Sequence, residues 1–117
     1  MKIKTQDLIG LALDWAVAKC EGYVLDCDER GEVSGLSVNQ WNWAPSTDWS
    51  QGGPILDREK PSFEDWTPPN GEPRFYAYLP NKSLYGAYGP THLVAGMRCY
   101  VASRLGDEMD VPEELLQ

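Results

Sequence analysis

Hydrophobic periodicity near the N-terminus predicts an α-helix that is covered on more than one side. Thr5 is its expected N-cap, and Gly22 is its expected end. The helical spacing produces two stripes, one formed by Leu8, Leu11, Ala12 and Trp15 and continued by Lys19, the other formed by Ile9, Leu13, Val17 and Cys20. Because two stripes make most of the helix surface apolar, neighbouring elements are expected to pack on both.

The middle of the chain predicts a pair of short strands followed by a second helix. Tyr23–Leu25 and Val33–Val38 are expected to pair around a charged turn at Asp26–Gly31. The helix that follows is expected to run to about Glu59, and its N-cap is one of three residues, Ser46, Thr47 or Asp48. These patterns favour a fold in which helices and strands both contribute to the core.

A β-hairpin is expected after the second helix. Phe63–Trp66 and Arg74–Leu79 have strand-forming residues, and the loop between them contains Asn70-Gly71, a pair that tolerates the positive φ of a reversal. Leu84–Tyr88 is interrupted by glycine and is expected to be a connector, whose form the pattern leaves open.

The C-terminal part predicts the most regular helix of the chain. Pro90 is expected in its first turn and Gly106 at its end. Its apolar stripe consists of Leu93, Val94, Met97, Val101 and Leu105. Asp110–Glu113 has the spacing of a capping box, which predicts a further turn, and Leu115 and Leu116 are expected to fold this tail onto the body.

Length and composition agree with these elements. The chain has 117 residues, of which 42% are hydrophobic, and its mean hydropathy is −0.46. We therefore expect a single α+β domain over residues 1–117, with a short antiparallel sheet on which the N-terminal and C-terminal helices pack. No membrane span or signal peptide is expected, since Asp14 and Lys19 interrupt the apolar runs near the N-terminus.

Charge and cysteine content narrow the partners and the compartment. Eighteen acidic and ten basic side chains give a net charge of −8, without a basic cluster, so direct binding to DNA or RNA is not expected. The three cysteines show no C-x-x-C spacing, which favours free thiols in a reducing cytoplasm over a disulfide or a metal site. An acidic surface is typical of a solubilising role, and mimicry of nucleic acid towards a basic partner is the alternative.

The segment from Trp43 to Leu56 is the strongest candidate for a binding site. Two tryptophans flank a helix start, and a Gly-Gly-Pro step follows where that helix should run. Exposed tryptophans anchor partners, and backbone amides at a helix start can receive an anion. The residues expected to bind a ligand or partner are Trp43, Ser46, Thr47, Asp48, Trp49, Gln51, Gly52, Gly53 and, if it converges on them, Arg98.

The sequence contains no established catalytic motif, and no catalytic residue, metal site or cofactor is predicted. His92 is the single histidine, and a general base needs an orienting acid and a nucleophile that the spacing does not locate. Asp26–Gly31 resembles a calcium loop but lacks the ligands that such a loop needs. The competing hypothesis is a small hydrolase or transferase acting on a nucleotide-like substrate, which would pair Asp48, Asp57 or Glu64 with His92.

Several blocks resemble one phage family, in the order that the family has them. They are Ala12–Gly22, Ser46–Glu59, Gly89–Thr91, Ala95–Glu108 and Val111-Pro112. Together they identify the chain as similar to the phage NinX-like family of tailed bacteriophages and prophages. The resemblance implies a phage origin, a location in the host cytoplasm and a small α-β-α sandwich. It transfers no functional residue, because none is established for the family.

Our leading hypothesis is therefore a non-enzymatic phage accessory protein that binds a host component. The partner is expected to be a host protein or a small nucleotide-like molecule, and sequestration of a nucleotide signal as a counter-defence factor is one specific version. An acidic protein-interaction module without a small ligand, acting as a homo-oligomer or an assembly partner, is the remaining alternative.

Overall fold

A computed structural model describes residues 1–22, 43–80 and 86–115 and shows an α+β fold. Its elements, in chain order, are β1 (Lys2–Lys4), α1 (Gly10–Cys20), α2 (Trp49–Glu59), β2 (Ser62–Asp65), β3 (Phe75–Tyr78), β4 (Gly86–Gly89), α3 (His92–Leu105) and β5 (Glu108–Asp110). Short 3₁₀ turns lie at Thr5–Asp7 and Glu113–Leu115. The predicted α+β class is confirmed.

A three-stranded antiparallel sheet is formed in the order β2-β3-β4. The predicted hairpin of β2 and β3 is confirmed, with Phe63 opposite Ala77, and Ala77 also faces Ala87 of β4. The form that the sequence leaves open at Leu84–Tyr88 is a strand in the part that the structure describes, because Gly86–Gly89 pairs with β3. Side chains alternate across a strand, so one face of this sheet packs on α3 and the other points away from it.

Helix α3 is the central element. All ten residues from Leu93 to Ala102 are buried, because the sheet, α1 and α2 each pack against this helix. Thr91 is the N-cap, and its Oγ1 accepts a hydrogen bond from the Val94 N–H at 3.1 Å. Pro90 therefore precedes the cap instead of occupying the first turn, which corrects the prediction, while the predicted end at Gly106 is confirmed.

The middle of helix α1 is buried around its whole circumference, as its two apolar stripes predict, but Ile9 and Leu11 of those stripes are exposed before and in its first turn. Every residue from Ala12 to Ala18 is buried, including Asp14. The predicted cap at Thr5 is wrong, because the helix begins at Gly10 with Ile9 as its N-cap. Thr5 is instead buried, and its hydroxyl connects the N-terminal segment to the end of α3 by donating to the Gly106 carbonyl oxygen at 2.6 Å.

The two ends of the chain pair with each other in a small second sheet that the sequence did not predict. β1 and β5 are antiparallel, with Ile3 opposite Met109. The following turn buries Leu115, which confirms that the tail folds onto the body. Helix α1 was expected to pack on the sheet, but it packs chiefly on α3. The complete α-β-α sandwich stays a prediction.

Several predictions fall outside the described residues. They concern the strands Tyr23–Leu25 and Val33–Val38, the turn Asp26–Gly31 with its calcium-like spacing, and the side chains of Cys27, Trp41 and Leu116. Within the described ranges, no helix has the length and apolar character that a membrane span requires.

Candidate functional site

The predicted binding segment is fastened to helix α1 through Asp14. The indole Nε1 of Trp43 donates to the Asp14 carbonyl oxygen at 2.8 Å, and the backbone N–H of Ser46 donates to the Asp14 Oδ1 at 2.9 Å. Ser46 is buried and Trp43 packs against the main core. These two predicted site residues therefore hold the segment in place.

Asp14 itself was not predicted to matter, although it lies in the middle of an apolar helix. Only 5% of this residue is exposed, and burial raises the pKa of its carboxyl group, against the lowering effect of the hydrogen bonds from Ser46. A lone carboxylate on the buried face of a helix is a signal that could have identified it, since buried acids occur where a donor pairs with them.

Helix α2 starts at the predicted segment, and its cap is Asp48. The Asp48 Oδ1 accepts from the Ser50 N–H at 2.9 Å and from the Ser50 hydroxyl at 2.6 Å. The Gln51 Oε1 accepts from the Ala44 N–H at 2.6 Å, so its side chain closes the loop in front of the helix. Asp48 is thus the true cap among the three candidates, while Thr47 is exposed.

The two glycines of the segment have different environments. A Cβ at Gly52 would overlap the Pro45 carbonyl oxygen and approach the Leu93 Cδ2 to 2.7 Å, so only glycine lets α2 lie this close to the loop and to α3. A Cβ at Gly53 would meet only the Trp49 ring, at 3.8 Å. Trp49 is 59% exposed and is the large side chain of the segment that reaches the surface.

Arg98, the remaining predicted site residue, makes its hydrogen bonds on another part of the molecule. Its Nε donates to the Leu8 carbonyl oxygen at 2.8 Å, and its Nη1 donates to the Tyr88 carbonyl oxygen at 2.7 Å. Burial lowers the pKa of its guanidinium, an effect that the nearby Asp7 opposes. Arg98 therefore joins the start of α1 to strand β4, and its role in binding stays a prediction.

A second candidate site lies on the sheet face that points away from α3. The strand register places Tyr76 beside Tyr88 on this face, and Tyr78 follows Tyr76 at a spacing of two. Trp66 and Arg74 lie where β2 ends and β3 begins, and both are exposed. We call these five residues, Trp66, Arg74, Tyr76, Tyr78 and Tyr88, the aromatic face.

The rings of the aromatic face contact one another. Tyr76 and Tyr88 have centroids 4.7 Å apart at 46°, and Tyr76 stacks on Tyr78 at 5.7 Å. Trp66 meets Tyr88 edge to face at 6.3 Å and 86°, and the Arg74 guanidinium carbon lies 4.2 Å from the Tyr88 centroid. A Cβ at Gly86 would overlap the Tyr76 hydroxyl, so this glycine leaves the space that the Tyr76 ring fills.

Polar groups frame the aromatic face at two edges. The Glu64 Oε2 accepts from the Trp66 Nε1 at 3.0 Å, which orients the indole ring. At the other edge the Gln6 side-chain amide bonds to the backbone of Tyr88, accepting from its N–H at 2.9 Å and donating to its carbonyl oxygen at 2.8 Å. One carboxylate and a fixed strand edge thus border the cluster of rings.

Asp48 and Glu64, two acids of the enzyme hypothesis, accept hydrogen bonds from Ser50 and Trp66, and Asp57 is exposed on α2. His92 is exposed at the start of α3, where its ring stacks on Phe75 at 4.1 Å. No described hydrogen bond joins His92 to Asp48, Asp57 or Glu64. Across the described ranges, no three His, Cys, Asp or Glu side chains are grouped closely enough to hold a metal ion.

A charged cluster that the sequence analysis missed joins the C-terminal ends of α1 and α2 to α3. Arg58 donates from Nη1 and Nη2 to the two oxygens of Glu21, at 3.1 and 2.6 Å, and the Tyr100 hydroxyl donates to the same carboxylate. These bonds lower the pKa of Glu21, Arg58 contributing most, whereas burial raises that of Tyr100. These contacts hold three helices together, and we call the three residues, Glu21, Arg58 and Tyr100, the clasp.

The fold and the aromatic face define a small α+β protein with rings presented on one sheet face. Its sequence matches the model of the family described as "Bacteriophage P22, NinX" over residues 4–104. The chain therefore belongs to this phage family, which confirms the predicted resemblance. None of the curated proteins matches the chain.

Proposed function

We propose that this chain is a phage accessory protein that acts in the host cytoplasm by binding a host component through the aromatic face. The observation that carries the proposal is the grouping of three tyrosines, a tryptophan and an arginine on one side of a short sheet. Phage family membership supports the host setting, because phage gene products are synthesised inside the infected cell.

The composition of the aromatic face is that of a protein-binding hot spot. Tryptophan and tyrosine are among the residues most enriched at positions that contribute large binding energies. The contacts of Tyr76 with Tyr78 and Tyr88 restrict these rings before a partner arrives, so little conformational entropy is lost on binding. Trp66 remains 54% exposed and offers the largest free ring surface of the face.

Charge favours a partner with a basic surface. The chain carries a net charge of −8, and Glu64 lies at the edge of the aromatic face, opposite Tyr76. Complementary potentials steer association and disfavour acidic partners. We therefore place a host protein before a nucleotide signal as the bound component. The counter-defence version, sequestration of a nucleotide, would use the same rings for base stacking.

Affinity capture from host lysate tests this proposal. The bait proteins are the wild type, Trp66→Ser in the aromatic face and Trp49→Ser in the predicted binding segment. The two tryptophans are 54% and 59% exposed, so the variants remove similar exposed surface from two different sites. We expect a stoichiometric host protein to be retained by the wild type and by Trp49→Ser, and to be lost from Trp66→Ser.

Native mass spectrometry of the same preparations identifies what is retained. A host protein lost selectively from Trp66→Ser supports the proposal, and a nucleotide mass lost in the same way supports the sequestration version. Selective loss from Trp49→Ser would move the site to the predicted segment and refute the assignment to the aromatic face. Clean multiples of the chain mass in all three proteins would show a homo-oligomer instead of a host complex.

A further inference from the structure

Tyr88 occupies the centre of the aromatic face and already holds a cation. The Arg74 guanidinium carbon is 4.2 Å from the Tyr88 centroid, Trp66 stands nearly perpendicular to the same ring, and Tyr76 leans against it at 4.7 Å. Rings at steep angles around one ring, with a guanidinium over it, form the arrangement by which proteins recognise cationic side chains.

The Arg74 guanidinium is held more weakly than the guanidinium of Arg58. In the described ranges no ion pair or side-chain hydrogen bond holds its guanidinium, and its exposed side chain lies on Tyr88. Arg58 is different, because its guanidinium donates to the carboxylates of Glu21 and Glu59. A partner's cation can therefore replace Arg74 without breaking a salt bridge.

A carboxylate at the edge of the aromatic face adds the opposite charge. Glu64 lies opposite Tyr76 in the strand register and accepts from the Trp66 indole at 3.0 Å. Its side chain is exposed, so its free lone pairs can accept from an incoming guanidinium or ammonium group. The rings and this carboxylate thus select the same chemical class.

We propose that the aromatic face recognises a cationic side chain of the partner protein, arginine or lysine, and that Arg74 occupies this position in the free protein. This inference rests on the proposed function and specifies its partner chemistry. Binding then exchanges one cation for another on Tyr88. The tethered guanidinium acts as an internal competitor that weakens the binding of other cations.

NMR titration of the intact protein with N-acetyl-arginine amide tests the exchange directly. Removing the competitor in Arg74→Ala is expected to lower the dissociation constant about three- to sixfold relative to the wild type. The Trp66 indole N–H signal is expected to shift during the titration. Arg104→Ala is the matched control, because it removes one exposed arginine from outside the aromatic face and should leave the constant unchanged.

Two further comparisons make the outcome decisive. N-acetyl-citrulline amide has nearly the same shape without the charge and should not shift the Trp66 signal. The double variant Trp66→Ser, Arg74→Ala should lose the gain in affinity. Equal affinity of wild type and Arg74→Ala, or equal shifts by the neutral compound, would overturn the inference. If the host protein still depends on Trp66 while the arginine probe fails, the proposed function stands and only its partner chemistry is wrong.

Discussion

Replacement of Asp14 by asparagine or alanine tests how the predicted binding segment is held on helix α1. The Asp14 carboxylate accepts from the buried Ser46 N–H across 32 positions of the chain, and its backbone oxygen accepts from Trp43. Asparagine keeps an acceptor oxygen at the same place, whereas alanine removes it. Asparagine and aspartate have similar helix propensities, so the comparison isolates charge and hydrogen bonding.

The expected magnitudes follow from burial. Asp14→Ala leaves the Ser46 N–H buried without its acceptor, so we expect a loss of about 2–3 kcal/mol in the free energy of unfolding at pH 7. Asp14→Asn should lie within about 1 kcal/mol of the wild type, because the lost charged hydrogen bond is offset by relief of the cost of burying a charge.

The sign of the pH dependence of the free energy of unfolding follows from the raised pKa of Asp14. The native pKa of Asp14 is raised above its ordinary value of 3.8, so the native state binds more protons than the unfolded state between these two values. The stability of the wild type should therefore fall relative to Asp14→Asn as the pH rises from about 4 through the native pKa. Each tenfold change in proton affinity contributes about 1.4 kcal/mol.

Urea unfolding at a series of pH values measures these differences. Asp57→Asn, at an exposed position of α2, is the control and should follow the wild-type profile. Parallel profiles for wild type and Asp14→Asn, or equal stability of Asp14→Ala and Asp14→Asn at pH 7, would refute the assignment of a buried, hydrogen-bonded carboxylate.

Three further predictions concern the packing of the helices. Gly52→Ala should destabilise the protein by about 1–3 kcal/mol, because its Cβ would overlap the loop before α2. Gly53→Ala should stabilise the protein by about 0.5–1 kcal/mol, since its Cβ has room. Thermal unfolding measures both variants, and equal effects would contradict the close approach at Gly52. Tyr100→Phe should cost about 1.5–3 kcal/mol in urea unfolding through the lost bond to a carboxylate, and an unchanged midpoint would argue against the clasp. Burial raises the pKa of Cys20 and Cys99 to about 11. Each therefore has about 100-fold less thiolate at pH 7 than a thiol with the ordinary pKa of 9.0. Peptide mapping after iodoacetamide treatment should find both cysteines unmodified in the folded protein and modified in urea.

The long periodic elements could be predicted from sequence because their pattern is local. The stripe of α3 and the double stripe of α1 repeat over several turns, so the type of each element and its burial follow from spacing alone. The short strands could not be predicted in this way. β1 and β4 have three and four residues, the partner of β1 lies at the other end of the chain, and β4 has glycine at both of its ends, so no periodicity marks them.

The candidate sites show the same limit. Tyr76 and Tyr88 share a face only because β4 pairs with β3 in one register, which spacing along the sequence does not reveal. The importance of Asp14 depends on a donor 32 positions away, which spacing within α1 cannot reveal. The cap of α2 was within reach of sequence reasoning, because an Asx side chain bonding to the N–H two residues later is a local interaction.

The central claim, that the aromatic face binds a host component, is tested most directly by isothermal titration calorimetry with the purified partner from the capture experiment. Loss of a hot-spot tryptophan costs at least about 2 kcal/mol, so Trp66→Ser should weaken binding by about thirtyfold or more. Trp49→Ser should bind as the wild type does. Equal dissociation constants for wild type and Trp66→Ser, with the fold of both verified by circular dichroism, would contradict the account.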